Sequence, residues 1–162
     1  MMKRAAAFFI IISLAYGFSA GQTVKESRDL QGFTSVGFGI PGNLYIKIGP
    51  RYSVELEGLQ GDLKEVETVI SGSRLKIKHE NWRLNFREKV NVYITMPELE
   101  GLGVSGSGRA EIEGPVKTED LDLSVSGSGN ILAADLAVEN LESGISGSGN
   151  IRLGGGSVSD AE

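Results

Sequence analysis

The sequence predicts an all-β protein whose strands stack as a parallel β-solenoid. Three observations lead to this fold class. The hexapeptides VSGSGR, VSGSGN and ISGSGN begin at Val104, Val125 and Ile145, so they recur after 20 or 21 residues. Apolar residues alternate with polar ones on both sides of each hexapeptide, which is the periodicity of strands. Residues 98–162 contain no helix-length amphipathic run, so each unit is expected to form one ~20-residue coil of about three short strands.

The first 21 residues, MMKRAAAFFIIISLAYGFSAG, have the pattern of a signal peptide. Lys3 and Arg4 precede an apolar run over residues 5–14, and small residues follow at 19–21. We therefore predict an exported protein with no transmembrane span after cleavage. The chain has no Cys, so stability must come from burial and backbone hydrogen bonds rather than disulfides.

We expect one β-helix domain over residues 22–162, in which residues 22–97 form irregular coils and residues 98–162 form regular ones. The irregular half contains a candidate helical turn at 59–67 and an ISGS sequence at 70–73. Its alternating strand patterns cover residues 33–38, 44–48, 54–57, 69–78 and 90–94. The regular half stops where a further strand should begin, which predicts a longer natural chain.

The charge of the chain argues against nucleic acid as a partner. The net charge is −5, and the acidic excess lies in residues 98–162. An acidic surface of this size repels a phosphate backbone.

The SGSG hexapeptides are interpreted as corners and not as phosphate or calcium sites. A phosphate loop needs a helix after it, whereas strand residues follow here, and the spacing differs from the nine-residue repeat of calcium-binding β-rolls. Glycine allows the sharp turn of each corner, and two Asn side chains are expected to stack. The predicted corner residues are Ser105, Gly106, Gly108, Ser126, Gly127, Gly129, Asn130, Ser146, Gly147, Gly149 and Asn150.

The segment SRLKIKHENWRLNFREK, residues 73–89, is basic and aromatic. One interpretation is a hairpin or protruding edge whose aromatic rings cover the core. The other is a patch that binds an anionic glycan, lipopolysaccharide or protein, because Trp offers a stacking face and Arg a bidentate fork. The residues of this candidate ligand patch are Arg74, Lys76, Lys78, Trp82, Arg83 and Arg87.

A second candidate site is a pair of carboxylates. Asp122 and Glu142 align one coil apart, and stacked carboxylates ~5 Å apart can serve a retaining glycosidase. No Arg or Lys is evident at the aligned positions of neighbouring coils, so a solvated acidic face is the favoured interpretation. With one His and no Cys, neither a metal site nor a Ser-His-Asp triad is expected.

The sequence resembles the autotransporter adhesin, head GIN domain family of exported bacterial proteins. The resemblance lies in GFTSVGFGIPGNLYIKIG (32–49), VEL followed by GDL (54–63), GSRLKIK (72–78), VNVYITMPELEGLGVSGSG (90–108) and the two SGSGNI sequences (126–131 and 146–151). It implies a single right-handed parallel β-helix and, because such proteins are common in Bacteroidetes, a periplasmic or outer-surface location in a Gram-negative bacterium. It supplies no catalytic residues.

These observations predict a non-enzymatic envelope scaffold or adhesin-like protein that presents its faces to a cell-surface glycan or envelope protein. No cofactor is expected. The alternatives are a polysaccharide-active enzyme that uses Asp122 and Glu142, and a structural protein that self-associates end to end.

Overall fold

The computed structural model describes residues 22–79 and 88–162. Within them the chain forms eleven strands and one short helix. The first elements are β1 (Thr23–Arg28), β2 (Ser35–Gly39), β3 (Gly42–Ile48), β4 (Ser53–Leu59), α1 (Gln60–Lys64), β5 (Val66–Ser71) and β6 (Arg74–His79). The later ones are β7 (Val90–Met96), β8 (Gly101–Gly106), β9 (Arg109–Gly127), β10 (Asn130–Gly147) and β11 (Asn150–Ala161).

The strands follow the alternation of the sequence. In β3, Leu44 and Ile46 are buried while Tyr45 between them is half-buried on the outer side. β7 repeats this pattern in VNVYITM, where every second residue is buried. Branched and aromatic side chains favour this pleated geometry, so local preference and burial agree in both strands.

The strands join into one mixed sheet. Its order is β1-β4-β7-β3-β9-β8-β2-β6-β5, with β10 on the other edge of β9 and β11 on β10. The sheet curls into a nearly closed barrel. The β1–β4, β4–β7 and β5–β6 pairs are antiparallel, and the other pairs are parallel.

The all-β class is therefore right, but the predicted single right-handed parallel β-helix is wrong. Alternation assigns a side chain to a face of a sheet, but it does not report the direction or identity of the neighbouring strand. Gly72 takes φ +62° and lets β5 turn back on β6, which a solenoid of parallel coils does not do. The strands are also longer than predicted, since β9 and β10 run over 19 and 18 residues.

The 20- or 21-residue spacing of the hexapeptides corresponds to strand register within this mixed sheet. Asn130 of β10 is aligned with Arg109 of β9 and with Asn150 of β11. Both pairs are parallel, and the β9–β10 register shifts between Ala133 and Asp135. The constant spacing thus describes how three neighbouring strands align, and not a fold made of coils throughout.

The core lies on the concave side of the sheet. Phe33, Phe38, Leu44, Leu75 and Leu123 are at most 1% exposed, and complete burial of such a side chain contributes roughly 1.5–3 kcal/mol. Because the alternate residues of the same strands point outward, every strand that supplies the core also presents an outer row of side chains. Those rows form the surfaces described next.

Candidate functional site: a glycine-floored trough

Three basic residues of the predicted ligand patch share one face of β6. Arg74, Lys76 and Lys78 lie on the outer side of the strand, whereas Leu75 and Ile77 between them are buried in the core. The other three predicted patch residues lie outside the described residues; they are Trp82, Arg83 and Arg87.

Glycines lie beside these cations. β6 pairs in parallel with β2, so Gly37 is aligned with Lys76 and Gly39 with Lys78. On its other edge β2 pairs with β8, which aligns Gly37 with Gly103. Two adjacent strands therefore carry glycine at the outward positions next to the basic row, and the outer surface falls to the level of the backbone there.

Hydroxyl groups close the far side of this depression. β8 pairs with β9, which aligns Gly103 with Ser124 and Ser105 with Ser126. The resulting cavity has a volume of about 320 Å³. We call it the glycine trough: its floor is Gly37, Gly39 and Gly103, its basic wall is Arg74, Lys76 and Lys78, and its hydroxyl wall is Ser105, Ser124 and Ser126.

The basic wall carries positive charge that the described residues do not neutralise. Lys78 pairs with Glu67 of β5 at 3.2 Å between Nζ and Oε2. Within residues 22–79 and 88–162, no carboxylate lies within ion-pair distance of Arg74 or Lys76. The trough therefore offers two cationic groups to an anionic ligand.

Backbone geometry does not require glycine at position 37. Its φ lies outside the left-handed region, and an added Cβ would meet the nearest atoms, Arg74 Cδ and Leu75 O, at 3.7 and 3.9 Å. Those are ordinary van der Waals contacts. Glycine weakens a strand interior and often marks a place where a ligand approaches the backbone, so Gly37 is better explained by the open floor than by the fold.

The SGSG glycines differ from Gly37, because the backbone uses them. The three hexapeptides lie where one strand ends and the next begins, and Gly127 there takes φ +108°. A Cβ on Gly127 would lie 2.8 Å from the carbonyl oxygen of Gly106. Beside this turn, Asn150 Nδ2 donates a hydrogen bond to Asn130 Oδ1 at 3.1 Å.

The remaining predicted corner residues fall in the same turns. Gly106 and Gly147 also take positive φ, at +85° and +128°. Gly108, Gly129 and Gly149 are packed closely, since an added Cβ on each would meet a neighbouring atom at 2.6 Å or less. The serines lie at the strand ends; they are Ser105, Ser126 and Ser146.

A second outer surface, the tyrosine face, lies on β3, β7 and β4. The Tyr45 and Tyr93 rings stack with centroids 5.2 Å apart and planes 14° apart. Asn43 Nδ2 donates a hydrogen bond to Asn91 Oδ1 at 2.9 Å. The polar groups of this face are thus largely satisfied by neighbours.

Charged groups complete the tyrosine face. Tyr93 donates its hydroxyl proton to Glu57 Oε2 at 2.8 Å, and this hydrogen bond, together with burial, raises the pKa of Tyr93. Lys25 bonds Glu55 Oε1 at 2.7 Å, which raises the pKa of Lys25. Lys25 Nζ also lies 5.3 Å from the centre of the Tyr93 ring, within the range of a cation–π contact.

The predicted carboxylate pair lies outside the trough lining. Asp122 and Glu142 are aligned on β9 and β10, and both side chains are exposed. Gly101 is aligned with Asp122 on the other side, so no cation is directly aligned with either acid on the described strands β8, β9 and β10.

A larger depression of about 510 Å³ is acidic. Its lining includes Glu98, Glu100, Glu119, Asp120 and Glu139. Within the described part of the chain, no group of three His, Cys, Asp or Glu side chains has the arrangement of a metal site. Asp120 also accepts a hydrogen bond from Asn140 Nδ2 at 2.8 Å, and the depression has no feature that points to a ligand.

Sequence reasoning missed the floor and the hydroxyl wall of the trough. Gly37, Gly39 and Gly103 stand in VGFGI and GLGV, where glycine alternates with large apolar residues. This alternation is a usable signal, because it places glycine on the outer face of a strand. It does not reveal that β6, β2, β8 and β9 lie side by side.

The molecule is therefore an all-β domain whose outer surface includes the tyrosine face, where polar groups bond one another, and the open glycine trough. The chain belongs to the family described as "Putative auto-transporter adhesin, head GIN domain", whose model matches residues 32–162. The resemblance read from the sequence is confirmed. Membership in this adhesin family indicates a surface or exported protein. None of the helices within the described ranges has the length and hydropathy needed to cross a membrane.

Solved structures share the fold at low sequence identity. A protein from Parabacteroides distasonis described as a putative lipid binding protein has a TM-score of 0.78 and 19% identity over 85% of this chain. A putative adhesin from the same species has a TM-score of 0.65 and 17% identity, and covers 85% of this chain and 67% of its own. A putative adhesin from Bacteroides fragilis has a TM-score of 0.60 and 14% identity, and covers 86% of this chain and 95% of its own.

This chain spans only 60% of the length of that first Parabacteroides protein. At such identities the likeness shows the fold alone. A comparison with curated proteins finds no match.

Proposed function

We propose that this chain is a non-enzymatic, adhesin-like binding protein of the bacterial envelope that holds a glycan in the glycine trough. One observation carries the proposal: the outer row of β2 lacks side chains at Gly37 and Gly39 beside the basic row of β6. A Cβ at position 37 would fit without a clash. Glycine there therefore leaves a space that the protein does not fill, and a ligand can occupy it. Serine hydroxyls opposite can donate to and accept from sugar hydroxyls.

A periplasmic or outer-surface location in a Gram-negative bacterium fits this role. The family is one of auto-transporter adhesins, and residues 1–21 have the sequence pattern of a signal peptide. Fractionation of cells that express the full chain tests the location, and protease treatment of intact cells separates the surface from the periplasm. Recovery in the cytosol would contradict it.

A glycan array with matched charge variants tests the ligand class. Lys76→Glu reverses a charge of the basic wall, whereas Lys47→Glu reverses an exposed charge on β3, away from the trough. We expect wild type and Lys47→Glu to bind the same glycans and Lys76→Glu to lose them. The proposal fails if the array shows no binding, or if Lys76→Glu binds as wild type does.

The non-enzymatic role rests on the placement of the two candidate carboxylates. Asp122, on the same strand as Ser124, and Glu142, on the next strand, are exposed and do not line the trough. Incubation of the protein with each bound glycan should produce no new reducing ends. Glycan cleavage that disappears in Glu142→Gln would support the polysaccharide-active alternative instead.

Self-association is a second candidate, favoured by the open edge at β11. Among the described strands, β11 pairs with β10 alone. Apolar side chains near it are solvent-exposed: Ile145 is 51% exposed, Leu153 41% and Val158 38%. A free strand edge with apolar side chains pairs readily with a second copy.

Sedimentation of the full chain over a range of concentrations tests that candidate. An oligomer that Leu153→Lys dissociates, and that Val69→Lys on β5 leaves intact, would support pairing through β11. Val69 is a suitable control because it is comparably exposed, at 38%. A monomer at all concentrations would contradict self-association.

A further inference from the structure

We infer that the glycine trough takes an acidic polysaccharide that lies along the strands, with its anionic groups toward β6 and its hydroxyl groups toward β9. This inference rests on the proposed glycan-binding function and adds the chemical class and the orientation of the ligand. It follows from the unequal walls of the trough, from its flat floor, and from the acids beside the hydroxyl wall.

The basic wall matches a ligand with charges at intervals. Arg74 and Lys76 are two residues apart on one strand, which places their backbones ~7 Å apart. Neither has a carboxylate partner in the described part of the chain. A polymer with repeated anionic groups can pair with both cations at once through separate groups. The Arg fork binds a carboxylate or sulfate through two parallel hydrogen bonds.

The hydroxyl wall is neutral and matches the other side of a sugar chain. Ser105, Ser124 and Ser126 bring hydroxyl groups to this wall, and each hydroxyl can donate one hydrogen bond and accept two. The basic wall stands on β6, and Ser124 and Ser126 stand on β9, about 14 Å away across β2 and β8. Ser105 stands nearer, on β8. The trough therefore has hydroxyl groups on one side and cationic groups on the other.

The floor does not suit two other kinds of ligand that envelope proteins bind, a peptide strand and a lipid chain. A peptide that adds to a sheet needs a free strand edge, whereas β2 and β8 are paired on both edges. A lipid chain needs a cavity that encloses most of its surface, whereas this trough is open along its length above Gly37 and Gly103. A flat ligand that lies on exposed backbone needs neither a free strand edge nor an enclosing cavity.

Acids beside the hydroxyl wall orient the ligand. Arg74, Ser35, Gly101, Asp122 and Glu142 lie in one row across β6, β2, β8, β9 and β10. Negative charge therefore faces the trough from the side opposite the cations. Anionic groups placed on that side would be repelled, and such repulsion contributes to specificity as much as attraction does.

The test measures binding of the full chain to polygalacturonate, heparin, dextran and anionic phospholipid vesicles by calorimetry. Polygalacturonate carries carboxylates, heparin adds sulfates, and dextran is neutral, so the first two distinguish the source of the negative charge. We expect binding to one or both acidic glycans, weakened by salt, and none to dextran or vesicles. Lys76→Gln and Gly37→Val should each weaken binding by about tenfold or more.

Two matched controls separate the trough from general effects. Lys47→Gln removes a cation of the tyrosine face, and Gly144→Val adds a side chain on β10, where an added Cβ meets no atom within 4 Å. Both should bind as wild type does, and all four variants should melt within a few degrees of wild type. An equal loss in Lys47→Gln would show attraction to any cation and would overturn the inference.

The outcomes also separate this inference from the proposed function. Dextran binding as tight as polygalacturonate binding, lost in Gly37→Val, would overturn the acidic ligand but leave a glycan site in the trough. Binding to vesicles alone, or to none of the four probes, would overturn the acidic ligand. The proposed glycan-binding function would then stand only if the array showed a different glycan that Lys76→Glu loses.

Discussion

The tyrosine face and the glycine trough are two outer surfaces of one sheet, and they use their outward positions in opposite ways. On the tyrosine face the outward positions carry large side chains that bind one another, as Tyr45 and Tyr93 do. In the trough the outward positions of β2 and β8 carry glycine, and the cations beside them include Arg74 and Lys76, which have no described carboxylate partner. The first surface contributes to stability, whereas the second is where we propose that a glycan binds.

Removal of a tyrosine ring should produce the largest separation between the two surfaces. Tyr45→Ala loses a half-buried ring and its stacking on Tyr93, so we expect a loss of about 2 kcal/mol in the free energy of unfolding. Glycan binding should be unchanged, because β3 does not line the trough. Urea unfolding and calorimetry on the same protein check both parts, and a tenfold loss of affinity would show that the two surfaces are coupled.

Removal of the Tyr93 hydroxyl alone should have a smaller effect that depends on pH. Tyr93→Phe loses the hydrogen bond to Glu57, at a cost of about 1 kcal/mol. The pKa of Tyr93 is raised in the folded protein, so this stabilisation is fully present below the unfolded pKa of about 10. It is lost as pH rises through the higher folded pKa.

The measurement is the difference in unfolding free energy between wild type and Tyr93→Phe at a series of pH values. The difference should stay constant from pH 7 to pH 9 and shrink at higher pH. A difference that grows at high pH would contradict the assigned role of the Glu57 hydrogen bond.

A methyl group on the trough floor should leave stability unchanged or improve it. Gly37→Ala reduces the freedom of the unfolded chain in a compatible backbone conformation, which contributes roughly 0.4–1 kcal/mol of stability. Thermal unfolding checks this. Gly127→Ala is the matched contrast, because φ +108° and a Cβ only 2.8 Å from Gly106 O make that glycine necessary; it should destabilise by about 2 kcal/mol. Equal losses in both variants would remove the distinction between floor and corner.

The acids beside the hydroxyl wall should have the smallest effect. Asp122 is exposed, and single exposed charges contribute roughly 0.2–1 kcal/mol. Asp122→Asn should therefore tighten binding of an acidic glycan about twofold, with no change in stability. Calorimetry compares the glycan affinity of this variant with that of Glu98→Gln, a charge change in the acidic depression. Equal tightening in the two variants would show a general charge effect.

Sequence alternation predicted the faces of the strands, but not which strands are neighbours. It placed Arg74, Lys76 and Lys78 on one side of a strand, and the structure has them there. It missed that β4 and β5 run antiparallel to their partners, because a period of two is the same in either direction. The trough depends on β6, β2, β8 and β9 lying side by side, and of these strands β2, β6 and β8 are far apart in the chain.

The position of β3 in the sheet has a consequence for how the chain folds. This strand lies between β7 and β9. Asn43 is therefore paired on both sides only after Asn91 of β7 and Arg109 of β9 have joined the sheet. Contacts between segments so distant in sequence slow the folding of small proteins to milliseconds or seconds. An N-terminal fragment that ends before β7 therefore cannot complete its sheet, and its unpaired edges remain open to other chains until synthesis reaches β9.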